Sequence, residues 1–494
     1  MNNFKKEIPV IVLLIAVITT VTAVAQHDHG RYVPETDPLV LEKLEKWQDI
    51  KFGLLMHWGP YSQWGIVESW SICPEDEGWT QRGMDNYVEY VRQYENLQTT
   101  FNPVQFDPER WAKAASNAGM RYVVFTTKHH DGFSMFDTEF TDYSITGEKT
   151  PFSSHPRANV TKEIFDAFRA EGLWTGAYFS KPDWHSDYYW WRYFPPFDRN
   201  VNYDPDIYPE RWEKFVQFTH NQIMELMTGY GQIDILWLDG GWVQKRSREN
   251  IIRSYQGRMM SAESGFIKSR TVNQDIRMDE LVEKAREKQP GLIVVDRAVE
   301  GKNQNYLTPE NVVPDQMLPY PWESCIIAGG SWSWIPEANY MTVRQVVHML
   351  VDIVSKGGNL LLNVAPGPEG QWHDEAYELL EGVGEWMDVN SEAIYDTRAI
   401  APYKEGKVCL TQNRNNGAVY MIYLAGEAEE NPPHHIFISS VRPVENATIT
   451  MLGDGVSLKW ERSGNGVLVH IPARLQDNPP CRDAWTLKIS SVED

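Results

Sequence analysis

The sequence predicts a (β/α)8-type, TIM-like barrel followed by a C-terminal antiparallel β-sandwich, and three observations carry that prediction. From about residue 40 to 390, short apolar runs alternate with amphipathic stretches that open on a capping residue and close on glycine. From about residue 396 the runs follow one another directly, with turn signals such as Gly453-Asp454-Gly455 at intervals of roughly ten residues. At 494 residues, 42% hydrophobic and 12% aromatic, the chain exceeds one ordinary domain and can fill a large core.

The chain opens with "MNNFKKEIPVIVLLIAVITTVTAVAQ". Lys5 and Lys6 make a positive start, an apolar run extends through Val21, and Ala23-Val24-Ala25 is a small-residue cleavage pattern. The run is short for a membrane span, and no cysteine follows the cut to mark a lipoprotein. Residues 1–25 therefore read as a cleavable signal peptide, cut near Ala25-Gln26, which directs the mature protein to the periplasm or the medium. A catalytic domain over 26–395 and a β-sandwich over 396–494 follow.

Six strands are legible in the barrel: "KFGLLMHWG", "RYVVFTTK", "WTGAYFS", "DILWLDGG", "GLIVVDR" and "GNLLLNVAP". Helices precede several of them. "DPERWAKAASNAG" has Asp107 as cap and Gly119 as stop, and "TKEIFDAFRAEG" repeats the design with Thr161 and Gly172. Six strands over this length favour a barrel over a doubly wound sheet, and no GxGxxG follows a strand, so no dinucleotide cofactor is expected. In the C-terminal part the expected strands are "VCLTQ", "AVYMIYLAG", "HIFISS", "ATITMLGDG" and "VSLKWERSGNGVLVHIP". The four cysteines lack CxxC spacing, which removes a zinc knuckle, and whether Cys409 and Cys481 pair stays open. The formal net charge of −22 and the lack of a basic stripe exclude nucleic acid as a partner.

Barrel enzymes place their chemistry at the C-terminal ends of the strands. Sorting the polar residues by that rule brings together His57, His129, His130, Trp237, Asp239, Arg297, Glu310 and Glu323. Singly, each has a structural explanation: "HHDG" can be a turn, Asp239 can cap a helix, Arg297 can pair with a structural carboxylate, and the tryptophans can be core. Together, polar residues at the same end of successive strands are hard to attribute to packing. Histidines, an arginine, carboxylates and tryptophans suit a neutral ligand with many hydroxyls, whereas a phosphate site would need a glycine-rich cradle or clustered cations. Cleaving a glycosidic bond needs two carboxyl groups, and in a retaining enzyme they lie roughly 5–5.5 Å apart.

Five stretches in order, "KFGLLMHWGPYS", "FTTKHHDGFSMFDT", "LWLDGGW", "PWESC...GSWSW" and "VSKGGNLLLNVAPGPEGQ", together resemble the retaining α-L-fucosidases of glycoside hydrolase family 29. The resemblance spans roughly residues 40 to 400. It implies an exo-acting enzyme that releases terminal α-L-fucose through a covalent intermediate, with a fucosylated oligosaccharide or glycoconjugate as substrate and no metal or cofactor. It implies Asp239 as nucleophile, and His57, His129, His130, Trp237 and Arg297 around the sugar. Glu68 and Trp70 in "VESW" resemble a Glu-Trp pair of the family, although Ser69 separates them, and Trp334 lies in the "GSWSW" motif. Glu310 in "TPEN" resembles the acid/base, with Glu323 and Glu300 as the other candidates and Glu323 expected to support the site. Three other readings remain: a metal-dependent hydrolase with His129, His130, Asp131 and Asp239 as ligands, a lectin-like fucose binder, and a glycosidase acting on a related sugar such as α-L-galactose. Linkage specificity and oligomeric state are not legible.

Overall fold

A computed structural model of the chain describes residues 32–75, 80, 82–261 and 270–493. The expected signal peptide lies outside them. Helix α1 (Pro38–Ile50) leads into β1 (Phe52–Met56), and α2 (Tyr87–Asn96) and α3 (Pro108–Asn117) lead into β2 (Tyr122–Lys128). Then come α4 (Val160–Ala170), β3 (Trp174–Ser180), α5 (Pro209–Gly229), β4 (Ile235–Asp239), α6 (Arg248–Ser261), α7 (Met278–Lys288) and β5 (Ile293–Asp296). The barrel part finishes with β6 (Glu323–Ile327), α8 (Val343–Ser355), β7 (Asn359–Asn363) and α9 (Asp374–Asn390).

The strands form one parallel sheet in the order β5-β4-β3-β2-β1-β7-β6. Among the described residues it has seven strands, and β5 does not pair with β6. An irregular segment, residues 303–311, fills the eighth position. Asn305 N donates to Val294 O at 2.9 Å on the β5 side, and Cys325 N donates to Pro309 O at 3.1 Å on the β6 side. Strand β6 is absent from the six expected from sequence, because it opens on Glu323-Ser324 and so lacks an apolar start.

Alternation along the strands sorts the core into two layers. Leu55, Tyr122, Val124, Tyr178, Trp237, Val295 and Leu361 fill the barrel interior, while Leu54, Val123, Phe125, Ala177, Leu236, Val294 and Leu362 face the helices. The helix starts follow local chemistry. Asp107 accepts from Arg110 N at 3.0 Å and caps α3 as expected. Helix α4 starts earlier than expected: Asn159 is its cap, and the Thr161 hydroxyl donates instead to Met135 O at 2.6 Å.

The C-terminal part contains β8 (Thr397–Glu405), β9 (Val408–Asn413), β10 (Val419–Leu424), β11 (His435–Ile438), β12 (Ile449–Met451), β13 (Lys459–Ser463), β14 (Gly466–His470) and β15 (Ala484–Ile489). A five-stranded antiparallel sheet, β12-β15-β10-β9-β8, encloses a core with a three-stranded one, β11-β14-β13. The outer face of the larger sheet packs on α8 and α9, where Trp386 Nε1 donates to Ala484 O at 3.0 Å and Arg344 Nε to Asp483 Oδ1 at 2.8 Å. Cys409 and Cys481 are unpaired thiols, as are Cys73 and Cys325. Among the described residues no helix is long and apolar enough to cross a membrane.

Candidate active site

A cavity of about 1000 Å³ opens at the C-terminal ends of the strands. Its inner end is walled by His57, His129, His130, Tyr178, Trp237 and Asp239, with Glu68, Trp70, Arg297, Glu310 and Trp332 around it. Asp239 is the last residue of β4, and its even spacing from Trp237 turns both side chains into the barrel. The two glycines after it are required by space. Gly240 has φ +87°, and a Cβ there would collide with Pro182; one on Gly241 would sit 2.8 Å from Arg297 O.

Three donors and a neighbouring imidazole surround the Asp239 carboxylate. Oδ1 accepts from Gly240 N at 2.7 Å and from an Arg297 Nη at 3.2 Å. Oδ2 accepts from the Tyr178 hydroxyl at 2.8 Å and lies 3.8 Å from His130 Nε2. Burial alone would raise the pKa of this carboxyl. Arg297 foremost, then His130, the Tyr178 hydroxyl and the Gly240 N–H, hold it well below the usual aspartate value.

Arg297 binds a second carboxylate with its other terminal nitrogen, that of Glu310. Glu310 Oε1 also accepts from Trp332 Nε1 at 3.2 Å. Arg297 dominates this carboxyl too and keeps it below the usual glutamate value, while the charge of Asp239 pushes the other way. One planar cation therefore brings a carboxylate from a regular strand and one from the irregular closing segment to face each other.

The histidines are neutral. Burial pulls His57 and His130 down to about 4, and His129 falls well below its usual value. Asn363 fixes the His57 tautomer. Its Nδ2 donates to Trp332 O at 2.8 Å, so its Oδ1 accepts from His57 Nδ1 at 2.9 Å, leaving His57 Nε2 as an acceptor. The His129 ring shares a hydrogen bond with Ser69 Oγ, and His130 Nδ1 has no partner among the described residues. Glu68 is only 3% exposed, and its Oε2 likewise has no partner among them. Burial, reinforced by the charges of Glu310 and Asp239, pushes its pKa up to about 8.

Other expected residues lie elsewhere. Glu323 opens β6, so it sits at the far end of the barrel interior and is not among the residues lining the cavity. It accepts from the Tyr122 hydroxyl at 2.6 Å and from Trp237 Nε1 at 3.3 Å, supporting that ring from beneath. Glu300 is exposed and also off the cavity wall. Trp334 stacks on His373 at 5.0 Å, outside the cavity, and its neighbour in the motif, Trp332, takes the wall position. Asp131 accepts from the Tyr94 hydroxyl at 2.7 Å and does not join His129, His130 and Asp239, whose ligand atoms lie within 4.8 Å of one another. Arg297 on the Asp239 carboxylate opposes a divalent cation at that trio. Tyr178 is a residue that sequence reasoning missed, although strand alternation places it on the same face as Ser180 at the active end of β3.

The sequence profile described as Alpha-L-fucosidase matches residues 19–392, and the one described as Alpha-L-fucosidase C-terminal domain matches residues 403–490. The chain belongs to the alpha-L-fucosidase family. Plasma alpha-L-fucosidase of Homo sapiens is 26% identical over 491 residues, which cover 94% of each chain. Among solved family structures, Alpha-L-fucosidase isoenzyme 1 from Paenibacillus thiaminolyticus superposes with a TM-score of 0.70 at 29% identity, covering 92% of this chain and all of the other. The alpha-fucosidase of Thermotoga maritima in complex with a mechanism-based inhibitor superposes with a TM-score of 0.69 at 25% identity, covering 93% and 100%.

Proposed function

We propose that this chain is an exo-acting, retaining α-L-fucosidase that removes terminal fucose from glycans through a covalent ester on Asp239. The observation that carries the reading is Arg297 holding Asp239 and Glu310 on one guanidinium, since retention needs two carboxyl groups close together with different tasks. Asp239, kept ionised, attacks the anomeric carbon while the protonated form of Glu310, which the charge of Asp239 favours and Arg297 opposes, gives its proton to the departing oxygen. The ester removes the Asp239 charge, and with it the upward push on Glu310. Glu310 then stays ionised and takes a proton from the water that releases α-fucose. The order of tasks follows from the order of charges.

The surrounding groups suit a sugar. Neutral His57, His129 and His130 offer hydrogen bonds to hydroxyls without competing for the charge on Asp239. Glu68, protonated near neutral pH, can donate to a hydroxyl, and Trp70 and Trp332 offer apolar faces to the ring and methyl group. The closed inner end fits a terminal residue, with the remaining glycan directed outward.

The same proposal includes export with cleavage near Ala25-Gln26, and a mature chain divided into a catalytic domain, 26–395, and a β-sandwich, 396–494. The change from βα units to antiparallel strands between Asn390 and Thr397 supports the division. The deciding experiment is trapping with 2-deoxy-2-fluoro-fucosyl fluoride, then peptide mapping by mass spectrometry. A label on Asp239 is expected, and a label on any other side chain overturns the mechanism.

A further inference from the structure

The four residues after β3, Lys181-Pro182-Asp183-Trp184, touch the main chain of both Asp239 and His130. Lys181 N donates to Asp239 O at 3.0 Å, and Trp184 N donates to His130 O at 2.8 Å. Between them, Pro182 occupies the space that a side chain at Gly240 would need, and the Trp184 ring lies 5.1 Å from that of His130. The segment therefore reaches both sides of the 3.8 Å approach between His130 and the Asp239 carboxylate.

Two ion pairs hold this segment, one at each end. Lys181 binds Asp296, the last residue of β5. Lys128, the last residue of β2, donates to Asp183 Oδ2 at 3.0 Å and to Gln222 Oε1 of α5 at 3.1 Å. All four charged side chains are buried. Burial outweighs the partner in each pair, raising the Asp296 pKa and lowering that of Lys128. Pairs of this kind add little stability over apolar side chains of similar size. What the first pair does supply is a fixed distance between two strands. Val295 fills the barrel interior, so alternation turns Asp296 to the helix-facing side, and the pair crosses β4 behind Asp239. In front of β4, the two side-chain donors to Asp239 come from the same two strands: Tyr178 belongs to β3, and Arg297 directly follows β5.

We propose that Lys181 is a positioning residue for Asp239: paired with Asp296, it clamps the ends of β3 and β5 around β4 and so fixes the carboxylate between the Tyr178 hydroxyl and Arg297. The inference rests on the fucosidase reading, in which that carboxylate attacks the sugar. Without the clamp the two outer strand ends separate, both bonds to Asp239 lengthen together, and the carboxylate leaves its line to the anomeric carbon.

Two measurements test it. In the wild-type protein, hydrogen exchange read at single-residue resolution should find the Lys181 and Trp184 amides as slow as those of β3 and β4. Exchange at the rate of exposed loop amides overturns the clamp. On an aryl α-L-fucoside, Lys181→Met should lower kcat about ten- to hundredfold with KM within about threefold. It should also move the acid limb of the pH profile to higher pH, and Lys181→Arg should restore part of the rate. The double variant Lys181→Met/Asp296→Asn strands no charge, so it carries the test where the single variant does not fold, and it should show the same loss and the same shift. A merely structural pair would lower stability and leave kcat and the acid limb of the folded protein unchanged; that result in the double variant overturns the proposal. Wild-type turnover with an unaltered double variant rejects only the clamp, whereas absence of turnover by the wild-type protein rejects the fucosidase reading.

Discussion

The hydroxyl of Tyr178 donates to Asp239 Oδ2 at 2.8 Å, from the neighbouring strand and across the barrel interior. Tyr178 pairs in register with Trp237, and their rings stack at 5.2 Å, so the hydroxyl is fixed by the same packing that fixes the strand. Replacing it by Phe removes a hydrogen bond to an ionised group, which is worth about 1.5–3 kcal/mol. Tyr178→Phe should lower kcat about ten- to hundredfold with the fold intact. The Asp239 pKa should rise, so the acid limb of the pH profile should move to higher pH. An unmoved acid limb would separate Tyr178 from the nucleophile.

Azide distinguishes the two carboxylates by product geometry. In Glu310→Ala, azide needs no general base and attacks the ester on Asp239 from the open face, giving α-fucosyl azide. In Asp239→Ala, azide occupies the space left by the carboxylate and attacks the substrate itself, giving the β anomer. Loss of the acid/base group should cost about 10²–10⁴-fold in rate on substrates with poor leaving groups. Proton NMR of the azide product reads the anomer directly, and the α anomer from Glu323→Ala rather than Glu310→Ala would transfer the acid/base role.

Arg297 should govern both sides of the pH profile. Asp239 must be ionised, so kcat/KM falls as pH drops through its pKa; Glu310 must be protonated, so kcat/KM falls as pH rises through its own. The guanidinium holds both carboxyl groups below their ordinary values. Arg297→Met should therefore move both limbs of kcat/KM to higher pH, alongside a large loss of rate. Movement in opposite directions would show that Arg297 does not serve both groups.

Glu323 makes a prediction about stability. Burial raises its pKa from the ordinary 4.5 to about 7, so between those values the folded chain keeps a proton that the unfolded chain has released. The contribution is complete below pH 4.5 and is lost as pH rises to about 7, at up to about 1.4 kcal/mol per pH unit. Glu68 adds a slope of the same sign up to about 8. Denaturant titrations across this range should show stability falling with pH, with a shallower slope in Glu323→Gln.

Much of this architecture is legible in the residues. Apolar runs ending in a polar residue located β1 to β5 and β7, because a strand buried on both faces has few other ways to be written. The run test failed for β6, whose first side chain is a carboxylate carried into the interior by Tyr122 and Trp237. It failed also for β8 and β15 at the start and end of the β-sandwich, which border a turn and a loop with weak signals. At the site, Asp239, Arg297 and the histidines follow from the strand-end rule. Tyr178 escaped because a tyrosine inside a strand reads as core. Trp332 escaped because "GSWSW" offers two tryptophans, and only packing decides which one faces the cavity.

The gap between β5 and β6 gives the two carboxylates proposed to react unequal freedom. A regular strand cannot gain or lose one residue without turning every later side chain to the opposite face. Asp239 is bound by that parity rule, but the segment 303–311, which brings Glu310 in, is not. Its length and path can change while the sheet stays as it is. On the proposed roles, the proton-carrying group can thus be re-sited to suit a new leaving sugar, with the bond-forming group left where it stands.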